Sequence, residues 1–412
     1  MTPSSPASTE LPKSAESPES AGPLTGYRVI ELGIWVAGPA AAGLMADWGA
    51  DVIKVEPPTG DPQRAVFGAV GVADQQGVPP FEIDNRGKRS VVIDLSTADG
   101  RRAMDLLLAT ADAFITNLRP AALRRLGLHH DDVLARFPRL VYGSLTGFGL
   151  DGPDQHRAGY DVGAFWARSG IAHTLVPPGE LPPALRSGMG DHTTGITLAA
   201  GVLAKLLQRQ STGRGGLVAT SLLRTGMYTI GWDIGIVLRF GKRESTRPRS
   251  RNKAPLIHCY STADDRGFWL LLLESDRHWP QLITSIGHPD WTAKPEYRDA
   301  KLRMANCQEL VADLEQTFCK FTMAELAKRF DEHDVWWAPI NSIADVIADP
   351  QAAASGAFVD MQPRDGEAPY RAVNGPIDFG GYTFMPGQVP NLGEHTAQIL
   401  NELEAAPMGV IT

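Results

Sequence analysis

From Tyr27 onward, short apolar runs alternate with amphipathic stretches. Arg28–Leu32 is apolar enough for a buried strand, Gly38-Pro39 opens an Ala-rich helix closed by Gly49-Ala50, and Asp51–Val55 forms a second strand. Proline suits a helix's first turn, where its missing N–H costs nothing, and glycine ends a helix by turning left-handed. The rhythm continues with strands at Ser90–Ile93, Ala113–Ile115 and Leu140–Ser144, a helix over 98–110, and two short helices before the last strand. Strands joined through helices pair in parallel and need cover on both faces. The pattern predicts an α/β, Rossmann-like domain with a parallel sheet.

After Asp191 the apolar positions Ile196, Ala199, Leu203, Leu206 and Leu207 fit one helical stripe. A flexible turn, Ser211–Gly216, leads to a strand at Leu217–Thr220, and the chain then becomes basic and irregular from Gly241 to Lys253. Such a stretch reads as an interdomain linker. Cys259–Ala338 reads as a smaller α+β unit with a strand from Phe268, a helix near Trp279–Ile286 and a capping-box pattern at Thr322–Glu325. From Pro339 on, loops and short strands end in a helix after Gly393. The expected organisation is a tail over 1–23, a large domain over 24–235, a linker over 236–256, a small domain over 257–338, and a C-terminal segment, 339–412, returning to the large domain.

Composition agrees with two cores: 412 residues exceed what one core usually supports, and 43% hydrophobic with 21% charged residues is ordinary for a globular protein. A net charge of -8 argues against nucleic acid or an anionic membrane as the main partner. Three cysteines without metal-ligand or redox spacing fit reduced thiols, and no metal site is expected. The first 23 residues, rich in Ser, Pro, Glu and Ala, lack the features of a signal peptide and read as disordered. The apolar run Phe268–Leu273 is too short to span a bilayer, so a cytoplasmic protein is expected.

Asp191 lies in the string Gly188-Met189-Gly190-Asp191-His192-Thr193-Thr194-Gly195. Aspartate is a favoured N-cap, and that is the plain reading; glycines on both sides and a helix N-terminus also suit a carboxylate nucleophile. The turn Gly33–Gly38 lacks the spacing of a dinucleotide fingerprint, although Glu56 stands where a ribose-binding acid would. Asn85–Arg89, and Asn117–Pro120 with Arg124 and Arg125, read either as phosphate-gripping loops or as solvated basic surface. Tyr160-Asp161 offers a second carboxylate or a helix cap. His129, His130 and His156 have no ligand spacing, and Trp166, Trp232, Trp336 and Trp337 read as core or as an acyl pocket.

Ala37-Gly38-Pro39, Gly49–Glu56, Asn85–Ser90, Gly190-Asp191, Thr212–Gly215 and Leu392–Thr396 together resemble the family III coenzyme A transferases, from Leu24 to about Leu403. The resemblance implies that Asp191 attacks the thioester of an acyl-CoA donor, forms a mixed anhydride and then an aspartyl-CoA thioester, and passes CoA to a carboxylic acid acceptor. It implies acyl-CoA as substrate with no tightly bound cofactor. It also implies CoA contacts at Ala37, at Ile93, Asp94, Leu95 and Ser96, at Asn117, Leu118 and Arg119, at Arg125, and at Tyr160 and Asp161.

Two positions depart from formyl-CoA transferases, which carry a glutamine at the place of Val36 and an arginine at the place of Pro57; a formyl or oxalyl substrate is therefore not assigned. The family also holds α-methylacyl-CoA racemases, in which a histidine stands at the position of Tyr160. A tyrosine, with its pKa near 10, is a poor proton carrier at neutral pH, which favours transfer over enolisation. The alternatives are racemase-type enolisation and a CoA-binding protein without turnover. The resemblance further implies a homodimer of two interlocked rings with the active site between subunits.

Overall fold

Six parallel strands make the central sheet of this computed structural model, which describes residues 21–69, 71, 77–243, 245–251, 253–362, 364 and 368–405. Residues 1–20 of the expected tail lie outside that set. The strands are β1 (Arg28–Leu32), β2 (Asp51–Glu56), β3 (Arg89–Val92), β4 (Ala113–Thr116), β5 (Val141–Thr146) and β6 (Gly216–Ser221), in the order β3-β2-β1-β4-β5-β6. Successive strand residues point to opposite faces, so Val29, Val52, Ile115 and Val141 enter one core while Ile30, Ile53, Phe114 and Tyr142 enter another. Burial on both faces is why these strands read as near-continuous apolar runs.

The helices are divided between the two faces. Helix α1 (Ala37–Asp47) covers the first face; α2 (Pro79–Asn85) packs beside it. On the second face lie α3 (Ala98–Ala109), α4 (Pro120–Leu126) and α5 (His130–Arg136), joined by the C-terminal helix Thr396–Ala405 through Ile399 and Leu403. That last helix is tied to β3 where the Val92 amide donates to Thr396 Oγ1 at 3.0 Å and the His395 amide to the Ser90 carbonyl at 2.9 Å. The long helix α6 (Met189–Thr212) returns to the first face, against α1.

Small residues decide how close these helices come. Ala37 through Gly43 of α1 are all buried. A Cβ on Gly195 of α6 would lie 3.0 Å from the Ala40 Cβ, and one on Gly43 would lie 2.5 Å from the Asp84 carbonyl of α2. With no bulk in the way, α2 and α6 both close on α1, and the side chains of Asp84 and His192 meet. The start of α6 differs from the N-cap reading. Gly188, which has no side chain, holds the cap position with φ +89°, and Asp191 is the third helical residue. Glycine takes that left-handed φ without a steric cost, so the helix begins before the aspartate.

Buried ion pairs fasten β1, β2 and the loop before β3. Glu31, wholly buried, sits between Lys54 Nζ at 2.8 Å and Lys88 Nζ at 2.7 Å. Burial alone would raise its carboxyl, but the two ammonium groups outweigh burial and hold it below the usual range. Arg86, also buried, binds both oxygens of Asp47 at 3.0 and 2.6 Å, and Arg89 reaches Asp51 and Glu402. The phosphate-gripping reading of Asn85–Arg89 is therefore corrected: its cations face protein carboxylates. Glu56 is likewise engaged, by Arg64 at 2.7 Å and by Ser90 Oγ at 2.7 Å.

The chain forms two compact units. The first takes the chain up to Ile171, Leu185–Ile234 and the chain from Ala357 onward; the second takes Ala172–Ala184 and Gly235–Gly356. The second unit has an antiparallel sheet, β7 (Ile257–Ser261), β8 (Gly267–Leu271) and β9 (Trp337–Pro339), over a core containing Phe268, Leu282, Phe318 and Phe330. Its helix Met323–Glu332 begins in a complete capping box between Thr322 and Glu325. No disulfide joins Cys259, Cys307 and Cys319 to one another. Among the described residues no helix is long and apolar enough to cross a membrane.

Candidate active site

In open parallel sheets, ligands bind beyond the C-terminal ends of the strands, where neighbouring connections diverge. Here that point lies between β1 and β4. Asn117, just after β4, spans it: its Nδ2 donates to the Ile34 carbonyl at 2.7 Å and its Oδ1 accepts from the Ile34 amide at 3.0 Å. A Cβ on Gly38 would lie 2.9 Å from Asn117 Cγ. The glycines of the β1–α1 turn thus make room for a side chain rather than for a pyrophosphate. Trp35 follows with φ +61°, its amide donating to Asp61 Oδ1 at 3.1 Å, and its ring meets that of Tyr160 edge to face at 6.5 Å.

Asp191 stands in the first turn of α6, half-buried. Its carboxyl is pushed up to about 7, first by burial and then by the charge of Asp161, while His192 draws it down. Asp161, buried, accepts from the Gly190 amide at 3.3 Å through Oδ2, and its Oδ1 has no hydrogen-bond partner. Burial raises its carboxyl as well, against the pull of the Gly188 and Gly190 amides. Those two amides serve Asp161, whereas the amides of Met189 and Asp191 have no acceptor among the described residues. They are unpaired donors of the kind a helix N-terminus presents.

A second pair adjoins this carboxylate. His192 Nε2 lies 3.0 Å from Oδ1 of Asp84, which is 2% exposed and whose Oδ2 is without a hydrogen bond. The hydrogen bond that His192 donates to Asp84 raises His192, ahead of the opposing effect of burial. Neither Asp84 nor His192 was assigned a role from the sequence. They are 108 positions apart, and only the close approach of α2 and α6 to α1 unites them.

The other residues singled out in the sequence are placed as follows. Ala37 and Ile93 are buried, Leu95 and Leu118 are half-buried, and Asp94 turns the chain by accepting from the Ser96 amide at 2.9 Å. Arg119, Arg124 and Arg125 are exposed and carry no ion pair among the described residues; Tyr160 is exposed too. Trp166 belongs to the first unit's core, Trp337 packs on the second unit's core, and Trp232 is exposed. His129, His130 and Asp131 bring three ligand-type atoms within 4.8 Å of one another, and Asp131 is exposed. A cavity of about 1030 Å³ in the second unit is lined by Thr246, Arg247, Arg251, Lys253 and Lys301 among others.

The sequence profile of CoA-transferase family III matches residues 24–396. The (R)-2-hydroxy-4-methylpentanoate CoA-transferase of Clostridioides difficile is 30% identical over 384 residues, covering 92% of this chain and 95% of that protein. Succinate–glutarate CoA-transferase of Agrobacterium fabrum is 33% identical over 399 residues, covering 94% and 98%. A solved CAIB/BAIF family protein from Brucella suis superposes with a TM-score of 0.81 at 30% identity, covering 93% of this chain and 100% of that one. A parallel sheet in the doubly wound order and this extent of likeness lead to one conclusion: the chain belongs to CoA-transferase family III and is an acyl-CoA:carboxylate CoA-transferase.

Proposed function

We propose that this chain transfers coenzyme A covalently through Asp191. An Asp191 oxygen attacks the thioester carbon of the donor, the C–S bond breaks, and CoA leaves as the thiolate with the electron pair. The thiolate then attacks the Asp191 carbonyl of the mixed anhydride, giving an aspartyl-CoA thioester and releasing the donor acid as its carboxylate. The acceptor carboxylate reverses the sequence and frees Asp191. A carboxylate nucleophile divides one difficult exchange into two easier ones.

The observation that carries this reading is the Asp191 carboxyl itself, held near neutrality at about 7 in the first turn of α6. A carboxylate less stabilised than usual is a better nucleophile, and the unpaired amides of Met189 and Asp191 suit the oxyanion. The exposed Arg119 and Arg125, without an ion pair among the described residues, suit the phosphates of CoA, with Ala37, Ile93 to Ser96, Asn117, Leu118, Tyr160 and Asp161 completing the binding path. Asn117 takes part by shaping the β1–α1 turn. A homodimer belongs to the same proposal, supported by the helix Gly231–Phe240, whose Trp232, Leu238 and Phe240 are all strongly exposed.

The test is Asp191→Ala and Asp191→Asn in folded protein, assayed with a panel of acyl-CoA donors and carboxylic acid acceptors. Loss of transfer by about a thousandfold or more is expected of a missing nucleophile. Retention of wild-type turnover would overturn the assignment.

A further inference from the structure

We propose that His192, fixed by Asp84, is the positioning residue that keeps Asp191 ionised, so that the two groups take up and release protons as a coupled pair. The inference rests on Asp191 being the nucleophile and concerns what makes that carboxylate usable at neutral pH.

The charges around Asp191 are unevenly matched. Two carboxylates raise it, Asp161 from the segment after β5 and Asp84 from α2, while His192 of its own helix lowers it. Burial and two like charges both disfavour the charged nucleophile. An imidazolium on the next residue is the group that offsets them.

The geometry fits a charged ring. His192 is anchored through Nε2 to a carboxylate that is 2% exposed and makes no other side-chain hydrogen bond. A neutral ring in that setting carries its proton on Nε2, and a second proton goes to Nδ1. Nδ1 lies 3.9 Å from where a Cβ of Gly188 would stand, so this nitrogen faces the residue that opens α6. The ring is hydrogen-bonded to Asp84 from α2, and the charges of Asp84, of Asp191 from α6 and of Asp161 from the segment after β5 all act to raise it. They favour the imidazolium, and the imidazolium favours ionised Asp191. When Asp191 becomes acylated its charge is lost, and the ring then holds its proton less firmly. Strongly interacting sites of this kind titrate as a pair rather than singly.

A purely structural role would be to pin α2 to α6. His192→Gln separates the two, because the amide can still donate to Asp84 but carries no charge. The readout is the pH dependence of thiol release from an acyl-CoA donor in a single turnover, for wild type, His192→Gln, His192→Ala and Asp191→Asn, with circular dichroism to establish folding. Both His192 variants should shift the acid limb upward by on the order of one pH unit, giving roughly tenfold slower release on that limb and little change at the alkaline end. An unchanged limb in folded His192→Gln, or glutamine restoring what alanine loses, would overturn the inference. Thiol release by Asp191→Asn would instead overturn the nucleophile assignment beneath it. A second measurement needs no His192 variant: in NMR titrations of ring-labelled histidine, His192 should lose its proton at lower pH in Asp191→Asn than in wild type. Identical titrations would count against the coupling.

Discussion

Gly190→Ala places one methyl group at the most crowded point of the site. A Cβ there would lie 2.5 Å from Phe165 Cδ1 and closer still to Phe165 Cγ and Asp161 Oδ1. Ordinary contact requires these atoms to retreat by roughly 1 Å, yet Phe165 is 4% exposed and Asp161 3%, so neither has free space behind it. Overpacking of this kind costs about 1–3 kcal/mol, and losing the Gly190 N–H bond to Asp161 adds about 1 kcal/mol. The expected total is a loss of about 2–4 kcal/mol in urea unfolding, with CoA transfer falling because the first turn of α6 carries Asp191. Gly163→Ala is the control. Nothing lies within 4 Å of a Cβ at that helical position, so this change should stabilise by about 0.5–1 kcal/mol. Wild-type stability and turnover in Gly190→Ala, or equal damage from Gly163→Ala, would refute the packing argument.

Glu31→Gln should cost about 3–5 kcal/mol in urea unfolding, since it leaves the buried Lys54 and Lys88 short of counter-charge. Asp191→Asn should stabilise the fold in a pH-dependent way. The folded Asp191 carboxyl lies at about 7 against an ordinary 3.8, so its ionisation costs nothing below the lower value and its full penalty above the upper one. Thermal melts should therefore show a gain of up to about 4 kcal/mol at about pH 8 that fades toward about pH 4. Arg125→Ala and Arg86→Met should behave oppositely. The exposed Arg125 should leave unfolding unchanged while raising KM for the CoA thioester in a salt-dependent way, whereas loss of the buried Arg86 strands Asp47 and should lower stability by about 3–5 kcal/mol.

The strand and helix rhythm of the first unit was legible because its strands are buried on both faces and leave unbroken apolar runs such as Val29-Ile30 and Phe114-Ile115. The Asp191 string was legible for the same local reason: glycines mark an open helix start. Partners distant in sequence were not. The cations of Asn85–Arg89 read as an anion site or a solvated surface, and not as buried ion pairs, because nothing near them announces Asp47 and Glu31, which lie 39 positions from Arg86 and 57 from Lys88. The Asp84–His192 pair depends on the absence of side chains at Gly43 and Gly195, which let three helices close together. The helix cap failed on a single torsion, the positive φ of Gly188, which moves the start of α6 ahead of Asp191.

The central claim is that CoA exchange passes through a covalent bond to Asp191. The most direct measurement is intact-mass and peptide-mapping mass spectrometry of enzyme quenched during turnover with an acyl-CoA, alongside Asp191→Ala. The account predicts an acyl or CoA adduct that is sensitive to hydroxylamine, maps to the peptide containing Asp191 and is absent from the variant. Efficient transfer with no adduct, or an adduct on another residue that survives in Asp191→Ala, would contradict it.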